Sequence, residues 1–163
     1  MKNFAFTIAT LAALTLPTHS VAQATEGRLL SEKLFVQIAG SPTAFLDQGA
    51  FTNYGSDVFA AMDYDQNNSV TLGEFLVFDT GMRPLAEEKG RLASHETAMR
   101  VVFAFWDRDG DGALGRTELI RSLGYDFQRA DQNSDARLNQ DEFLHGFTLI
   151  VALRAAINPA PVE

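Results

Sequence analysis

The sequence predicts an all-α protein, and three observations carry that prediction. Apolar residues recur every three or four positions through much of the chain, as they do on the buried face of a helix. The alternation of apolar and polar residues that marks a half-buried strand is almost missing. Acidic loops of equal length separate several of the helical stretches. These features indicate helices joined by loops, without a major sheet.

Composition favours one domain with an ordinary core. The chain has 163 residues, of which 46% are hydrophobic and 13 are phenylalanine. The formal net charge of −8 argues against nucleic acid or an anionic membrane as a partner, because both require clustered Lys and Arg. Cysteine is absent from the sequence, which excludes disulfides, thiol catalysis and cysteine-ligated zinc. The charge balance favours cations as partners.

Residues 1–24 have the pattern of a secretory signal peptide. Lys2 precedes an apolar run over 4–16, and Ala24 ends a small-residue cleavage pattern. The alternative is an anchoring helix, but the run ends at Pro17 and is shorter than the roughly 20 apolar residues that a bilayer span needs. We therefore expect a periplasmic or secreted chain that begins at Thr25, with no stable membrane span after cleavage. Because Lys2 is lost, its net charge becomes −9.

Extra N-terminal helices are expected over residues 25–50. Ser31 is a candidate N-cap for one short helix, and Ser41 followed by proline is a candidate start for a second. Gly40 and Gly49 are the corresponding candidate stops. These helices would precede the main domain, which we expect to span 51–163.

The main domain should begin with a helix from about Ala50 to Met62, which leads directly into the first acidic loop. After that loop a short helix over 74–78 should end near Pro84, and a longer helix should end at Trp106. The apolar run over 147–157 predicts a final buried helix.

Three acidic loops repeat one pattern, at 63–74, 107–118 and 131–142. Each has oxygen-bearing side chains at positions 1, 3 and 5, an aliphatic residue at position 8 and a glutamate at position 12. So many carboxylates in one short loop repel each other unless a cation neutralises them. Each loop is therefore a candidate cation site.

This pattern resembles the EF-hand family, and the close tandem spacing is similar to that of bacterial exported EF-hand proteins. The resemblance covers roughly residues 51–157. It implies helix-loop-helix units that hold Ca²⁺ through side chains at positions 1, 3, 5 and 12 and a backbone carbonyl at position 7. It also implies that the position-8 residues let two loops pair through a short strand-like contact. The implied ligands are Asp63, Asp65, Asn67, Ser69 and Glu74; Asp107, Asp109, Asp111, Ala113 and Glu118; and Asp131, Asn133, Asp135, Arg137 and Glu142.

The residue at position 6, where the family's loop turns sharply, ranks the three loops. Gly112 in the second loop adopts positive φ without strain, and Asn68 in the first tolerates it. In the third loop, positive φ at Ala136 would cost on the order of 1–2 kcal/mol, which corresponds to a roughly tenfold weaker affinity for calcium. We expect the second loop to bind best and the first less well, while the occupancy of the third stays open.

The pairing of the loops also stays open. The second loop begins at Asp107 and the third at Asp131, so only a short segment separates them, and we expect Gly124 to divide that segment into two short helices. The first loop could dock either against the other two or against the N-terminal helices.

The sequence favours a protein that binds calcium without enzymatic activity. His95 and His145 lie far apart and fit no metalloprotease spacing, which favours core or surface roles for both. Eleven of the 21 acidic residues lie in the three loops, where metal ligation explains them better than acid–base catalysis. A structural or buffering role fits an exported protein best. The alternative is a calcium-dependent regulatory module that exposes a hydrophobic face to a protein partner.

Overall fold

A computed structural model describes residues 25–158, and the predicted signal peptide lies outside that range. The described residues form eight helices and four very short strands, which confirms the all-α fold class. The helices are α1 Glu26–Ala39, α2 Gln48–Met62, α3 Leu72–Val77, α4 Arg83–Glu88, α5 Leu92–Trp106, α6 Arg116–Ala130, α7 Gln140–Gly146 and α8 Thr148–Ile157. The strands are β1 Leu46–Asp47, β2 Ser69–Thr71, β3 Ala113–Gly115 and β4 Arg137–Leu138. Across residues 25–158, no helix has both the length and the apolar character required to cross a membrane.

The four strands join the loops in two antiparallel pairs. β2 pairs with β3, and Val70 lies opposite Leu114. β1 pairs with β4, and Leu46 lies opposite Leu138. The first acidic loop is therefore the partner of the second. The partner of the third acidic loop is the connection between α1 and α2.

The first helix begins earlier than the sequence predicted. α1 starts at Glu26 because the Thr25 side chain accepts a hydrogen bond from the backbone N–H of Arg28, at 3.3 Å. Ser31, the predicted N-cap, is buried inside the helix, where its hydroxyl donates to the carbonyl of Gly27 at 2.7 Å. The helix ends before Gly40, which has the left-handed φ of 89°, as predicted.

The predicted second N-terminal helix, from Ser41 to Gly49, is wrong. Residues 41–45 form a turn and β1 follows, because Leu46 pairs with the third acidic loop and becomes buried there. The side chain of Asp47 accepts a hydrogen bond from the Ala50 N–H at 2.8 Å, so α2 begins at residue 48. The expected boundary between residues 50 and 51 thus falls in the first turn of α2.

The prediction that Gly124 divides the segment between the second and third loops is also wrong. α6 is continuous from Arg116 to Ala130. Glycine inside a helix costs only about 1 kcal/mol. Burial of Leu119, Leu123 and Phe127 along one face of α6 outweighs that cost. α6 therefore leaves the second loop and enters the third as one helix.

The remaining helices agree with the sequence with one addition. α5 ends at Trp106 and α8 buries Leu149, Ile150, Leu153 and Ile157, as predicted. Pro84 stops no helix. It lies in the first turn of the short helix α4, where a missing N–H has no cost.

The core holds the two halves of the described chain together. α2 and α6 pack closely, and a Cβ added to Gly55 would lie 2.1 Å from the Leu123 Cδ1 atom. Phe147, just before α8, packs its ring against Phe51 at 5.1 Å and stacks on Trp106 at 6.4 Å between ring centroids. Burial of these aromatic rings stabilises the core near the loops.

Candidate metal centre

The three acidic loops share one backbone conformation. Positions 4 and 6 of every loop have positive φ, between 58° and 87°. The sequence predicted this conformation at position 6 but missed it at position 4, where only the glycine of the second loop gave a signal. The residues concerned are Gln66 and Asn68, Gly110 and Gly112, and Ser134 and Ala136. The third loop therefore adopts the shared turn in spite of Ala136.

The aspartate at position 1 closes each loop from inside. In every loop, one of its carboxylate oxygens accepts a hydrogen bond from the backbone N–H of position 6. These bonds run to Asp63 from Asn68 (2.9 Å), to Asp107 from Gly112 (3.1 Å) and to Asp131 from Ala136 (2.9 Å). The positive φ at position 6 and the inward carboxylate at position 1 therefore belong to the same turn.

The glutamate at position 12 reaches back across its loop from the start of the following helix. Glu74 accepts hydrogen bonds from the N–H groups of Tyr64 (3.1 Å) and Thr71 (2.8 Å). Glu142 makes the same two bonds in the third loop, from Gln132 (3.2 Å) and Asn139 (3.0 Å). The backbone N–H and the hydroxyl of Thr71 lower the pKa of Glu74 and favour its ionised form.

The second loop holds its glutamate differently. Glu118 accepts from the Arg108 N–H at 2.8 Å, but position 9 is Gly115, which offers no side chain to cap α6. The first and third loops have a complete capping box at this point, through Thr71 and Asn139. The second loop thus has the most carboxylates at its predicted ligand positions and the weakest helix cap.

Two loops bring three carboxylates together. Asp63, Asp65 and Glu74 each place an oxygen within 4.8 Å of the others. Asp107, Asp109 and Glu118 do the same. Hard divalent cations such as Ca²⁺ prefer clustered carboxylate and carbonyl oxygens of this kind, so both clusters fit such an ion.

Within residues 25–158 the third loop forms no cluster of three acidic groups. The reason is its residue at position 3, because Asn133 stands where the other loops have Asp65 and Asp109. An amide oxygen can still ligate calcium, but it brings no negative charge. The third loop therefore has the shape of the other two, with one carboxylate fewer than the second loop at its predicted ligand positions and as many as the first.

The remaining predicted ligands lie at matching places in the three loops. The position-5 side chain accepts from the N–H of position 7 in each loop, at 2.8 to 2.9 Å. Position 7 is the first residue of a strand in each case, so it lies directly beside the pairing described above. These residues are Asn67 and Ser69, Asp111 and Ala113, and Asp135 and Arg137.

A buried aspartate under the loops was missed by the sequence reasoning. Asp126 in α6 is fully buried and accepts hydrogen bonds from Trp106 Nε1 (3.3 Å), Thr148 Oγ1 (2.7 Å) and Arg129 Nη2 (2.5 Å). Burial raises the pKa of Asp126, and the three donors oppose that rise. This network links the residue before the second loop to the first residue of α8. The spacing of apolar residues gave no signal of it.

The two histidines outside the predicted signal segment have the roles that the sequence favoured. His95 is buried in α5, where neither ring nitrogen has a hydrogen-bond partner. His145 is exposed, and its Nδ1 lies 2.8 Å from the Asp141 carbonyl oxygen. Neither belongs to an acidic cluster of the described residues.

No protein-family model matches the sequence. Part of the chain is similar to calcium-dependent protein kinase 9 of Oryza sativa subsp. japonica, with 28% identity over an alignment that covers 52% of this chain. The alignment covers 15% of that kinase, so the chain corresponds to a small part of it.

Proposed function

We propose that the protein binds Ca²⁺ in the loops 63–74 and 107–118, and more weakly in the loop 131–142. The observation that carries this proposal is the pair of three-carboxylate clusters, in loops that share a backbone conformation and face each other across β2 and β3. The similarity to a protein whose name specifies calcium dependence favours Ca²⁺ over other hard cations. Magnesium prefers a smaller octahedral site and retains its waters.

Each acidic loop would contribute oxygens from five positions to the ion. The side chains at positions 1, 3 and 5 and the carbonyl at position 7 surround the centre of the loop, and the position-12 carboxylate closes it. The backbone hydrogen bonds on Glu74 and Glu118 leave further lone pairs on their carboxylates for a cation. The bound ion would supply the positive charge that the clustered carboxylates lack.

We propose a structural or buffering role, without enzymatic activity. Three bound Ca²⁺ would bring the expected net charge from −9 to −3 and remove repulsion within the loops. Three large apolar side chains that a regulatory role would have to expose, Trp106, Met99 and Phe147, are buried in the core. A ligand that binds only the folded state stabilises it by about 2.7 kcal/mol per site at a hundredfold excess over its Kd.

A regulatory role is the second candidate, and one surface feature favours it. A largely apolar depression of about 440 Å³ lies beside the first loop and is lined by Met62, Val77 and Phe78 among others. Tyr64 and Val77 at this depression are 90% and 79% exposed. A hydrophobic dye separates the two roles, because calcium should reduce dye binding in the structural role and increase it in the regulatory one.

The test of calcium binding is a calorimetric titration of the purified protein. The double variant Glu74→Gln/Glu118→Gln removes one ligand from each cluster and should weaken the two tightest sites about tenfold or more. The control Asp57→Asn/Glu88→Gln removes the same charge from exposed positions outside the loops and should change affinity less than about twofold. Equal losses in both double variants would show that net charge, rather than ligation, explains the binding.

We further propose that the protein is exported. N-terminal sequencing of protein recovered from the cell exterior or periplasm should begin at Thr25. A sequence that begins at Met1 would contradict this proposal.

A further inference from the structure

The segment from α1 to α2 has the architecture of the acidic helix-loop-helix units. It contains a helix, a glycine with positive φ, a short loop, a strand and a second helix. Leu46 in its strand lies opposite Leu138, as Val70 lies opposite Leu114 in the other pair. Leu46 therefore takes the place of the position-8 residue of an acidic loop.

A buried apolar spacing is shared by this segment and the three acidic units. In all four, a phenylalanine precedes the position-8 residue at one constant spacing, and a phenylalanine or leucine follows it at a second constant spacing. All twelve residues are between 0% and 4% exposed. The four sets are Phe35, Leu46 and Phe51; Phe59, Val70 and Phe75; Phe103, Leu114 and Leu119; and Phe127, Leu138 and Phe143. The segment is thus a fourth unit of the same kind.

The four units form two tandem pairs. The position-8 residues lie at 46 and 70 in the first pair and at 114 and 138 in the second, so the spacing within the two pairs is the same. The sequence offset that relates Leu46 to Leu114 also relates Gly55 to Leu123, which touch where α2 packs on α6. α2 and α6 are therefore equivalent helices, each shared between two units.

The fourth unit lacks the metal ligands of the others. Counted from Leu46 as position 8, its positions 1, 3, 5, 7 and 12 carry no carboxylate. They are Ala39, Ser41, Thr43, Phe45 and Ala50. Asp47 at position 9 still caps the following helix, as Thr71 and Asn139 do in two acidic loops. The unit therefore has the residues that pair the strands and cap the helix, and it lacks the residues that would bind a metal ion.

We propose that residues 26–62 form a ligand-free fourth unit that holds the loop 131–142 in the conformation required for calcium. Leu46 is its positioning residue, through the pairing with Leu138. Two contacts join α1 to α7, the helix at the end of the same loop. The rings of Phe35 and Phe143 are 5.5 Å apart, and Arg28 lies 3.4 Å from Asp141.

The third loop needs this support more than the second does. Ala136 is held at a φ of 62°, where only glycine is free of strain, whereas the second loop has Gly112 at that position. An isolated third loop would relax away from the turn that brings its position-1 carboxylate inward. This proposal rests on the proposed calcium binding, because it assigns a role in that binding to residues that touch no metal.

Nuclear magnetic resonance can test the proposal loop by loop in the 15N-labelled protein. The backbone N–H groups of Asn68, Gly112 and Ala136 each donate to the position-1 carboxylate of their own loop, so each reports the filling of one loop. In Leu46→Ala, the calcium concentration for half-maximal change at Ala136 should rise about tenfold, with less than about a twofold change at the other two. Val70→Ala is the matched control. It should raise the midpoints at Asn68 and Gly112, whose loops Val70 pairs, and leave the midpoint at Ala136 nearly unchanged.

The results that would overturn the proposal are equally defined. A folded Leu46→Ala protein with equal shifts at all three amides, or with no shift at Ala136, would show that Leu46 does not position the third loop. If Leu46→Ala fails to fold, the variant Asp47→Ala at an exposed site takes its place and should raise the calcium midpoint at Ala136 about threefold. The absence of a selective rise at Ala136 would overturn the proposal. Ser41→Ala/Thr43→Ala should keep the number of bound ions, and a lost ion would show that the fourth unit binds metal.

Failure of calcium binding itself can be told apart from failure of this proposal. If the unmodified protein shows no calcium response at any of the three amides, the proposed function is wrong. Hydrogen exchange in the metal-free protein then decides the structural part. Faster exchange at Arg137 and Leu138 in Leu46→Ala than in Val70→Ala would support positioning by β1, and equal exchange would overturn it.

Discussion

The two strand pairs share their geometry and differ in their chemistry. In the β2–β3 pair, two acidic loops meet, and each holds a cluster of three carboxylates. In the β1–β4 pair, an acidic loop meets a connection with no carboxylate at any ligand position. Both pairs bury an aliphatic residue from each side. Pairing therefore depends on apolar residues, while the proposed ion binding depends on oxygens, and the first can be present without the second.

The two tandem pairs of units differ in a second way, at equivalent positions of α2 and α6. The sequence offset that relates Leu46 to Leu114 places Asp126 of α6 where α2 has Val58. The half with the hydrogen-bond network around Asp126 is also the half that packs against α8 through Thr148. A polar network thus contacts the start of α8 beside a core that is mostly apolar.

Calcium should have the largest effect, and it should act unequally on the two strand pairs. Filling the paired clusters at a hundredfold excess over Kd should add about 2.7 kcal/mol per site to the free energy of unfolding. Glu118→Gln should remove more of that gain than Glu142→Gln, because the third loop holds less charge and a strained turn. Thermal unfolding with and without calcium measures both losses. Equal losses would show that position 3 and position 6 do not rank the loops.

Asp126→Ala should be the most destabilising single change in the buried network. It leaves the donors of Trp106, Thr148 and Arg129 without their acceptor, and loss of such a buried network costs about 3 kcal/mol. The equivalent change in the other half, Val58→Ala, removes two methyl groups from a half-buried site and should cost only about 1 kcal/mol. Urea unfolding of both metal-free variants makes the comparison, and a larger cost for Val58→Ala would contradict it.

Ala136→Gly should strengthen the third loop by removing the strain at φ 62°. The gain should be on the order of 1 kcal/mol, and roughly a fivefold to tenfold tighter site. The reciprocal change, Gly112→Ala, should weaken the second loop by a similar factor, since its φ is 87°. Calorimetry of the two variants tests whether position 6 acts alike in both loops. A loss of affinity in Gly112→Ala without any gain in Ala136→Gly would mean that the pairing with β1 already offsets the strain in the third loop.

The smallest predicted effect is a loss of stability in mild acid through His95. Burial lowers the pKa of His95, and the nearby Arg83 lowers it further, while Asp79 and Glu96 oppose the shift. The unfolded chain therefore takes up the proton first. Stability should be complete above the unfolded pKa of about 6.5 and should decrease as the pH falls from there toward the lower folded pKa.

A matched pair of variants isolates this pH effect. His95→Gln should flatten the decrease in stability below about pH 6.5, while His145→Gln at an exposed site should leave it unchanged. Urea unfolding at several pH values in metal-free buffer gives both curves. A decrease of equal slope in the unmodified protein and in His95→Gln would assign the effect to other groups.

The sequence by itself determined the parts of this protein that depend on neighbouring residues. The three loops, the helices α2 and α5 that lead into two of them and the stop at Gly40 follow from turn residues, helix caps and apolar spacing. These signals are local and can be read without the fold. The carboxylate clusters of the first two loops depend on local sequence for the same reason, since each comes from one short loop.

The tertiary structure decided the rest, because it depends on contacts between residues distant in sequence. The pairing of Leu46 with Leu138 turned a predicted helix into a strand, since burial in a pair outweighs weak local propensity. Packing of α6 against α2 keeps α6 continuous at Gly124, again because burial outweighs local propensity. The choice of loop partners and the network around Asp126 also lie beyond local signals. The free energy of burial is a sum over contacts in the whole core, and only the complete fold shows which residues make those contacts.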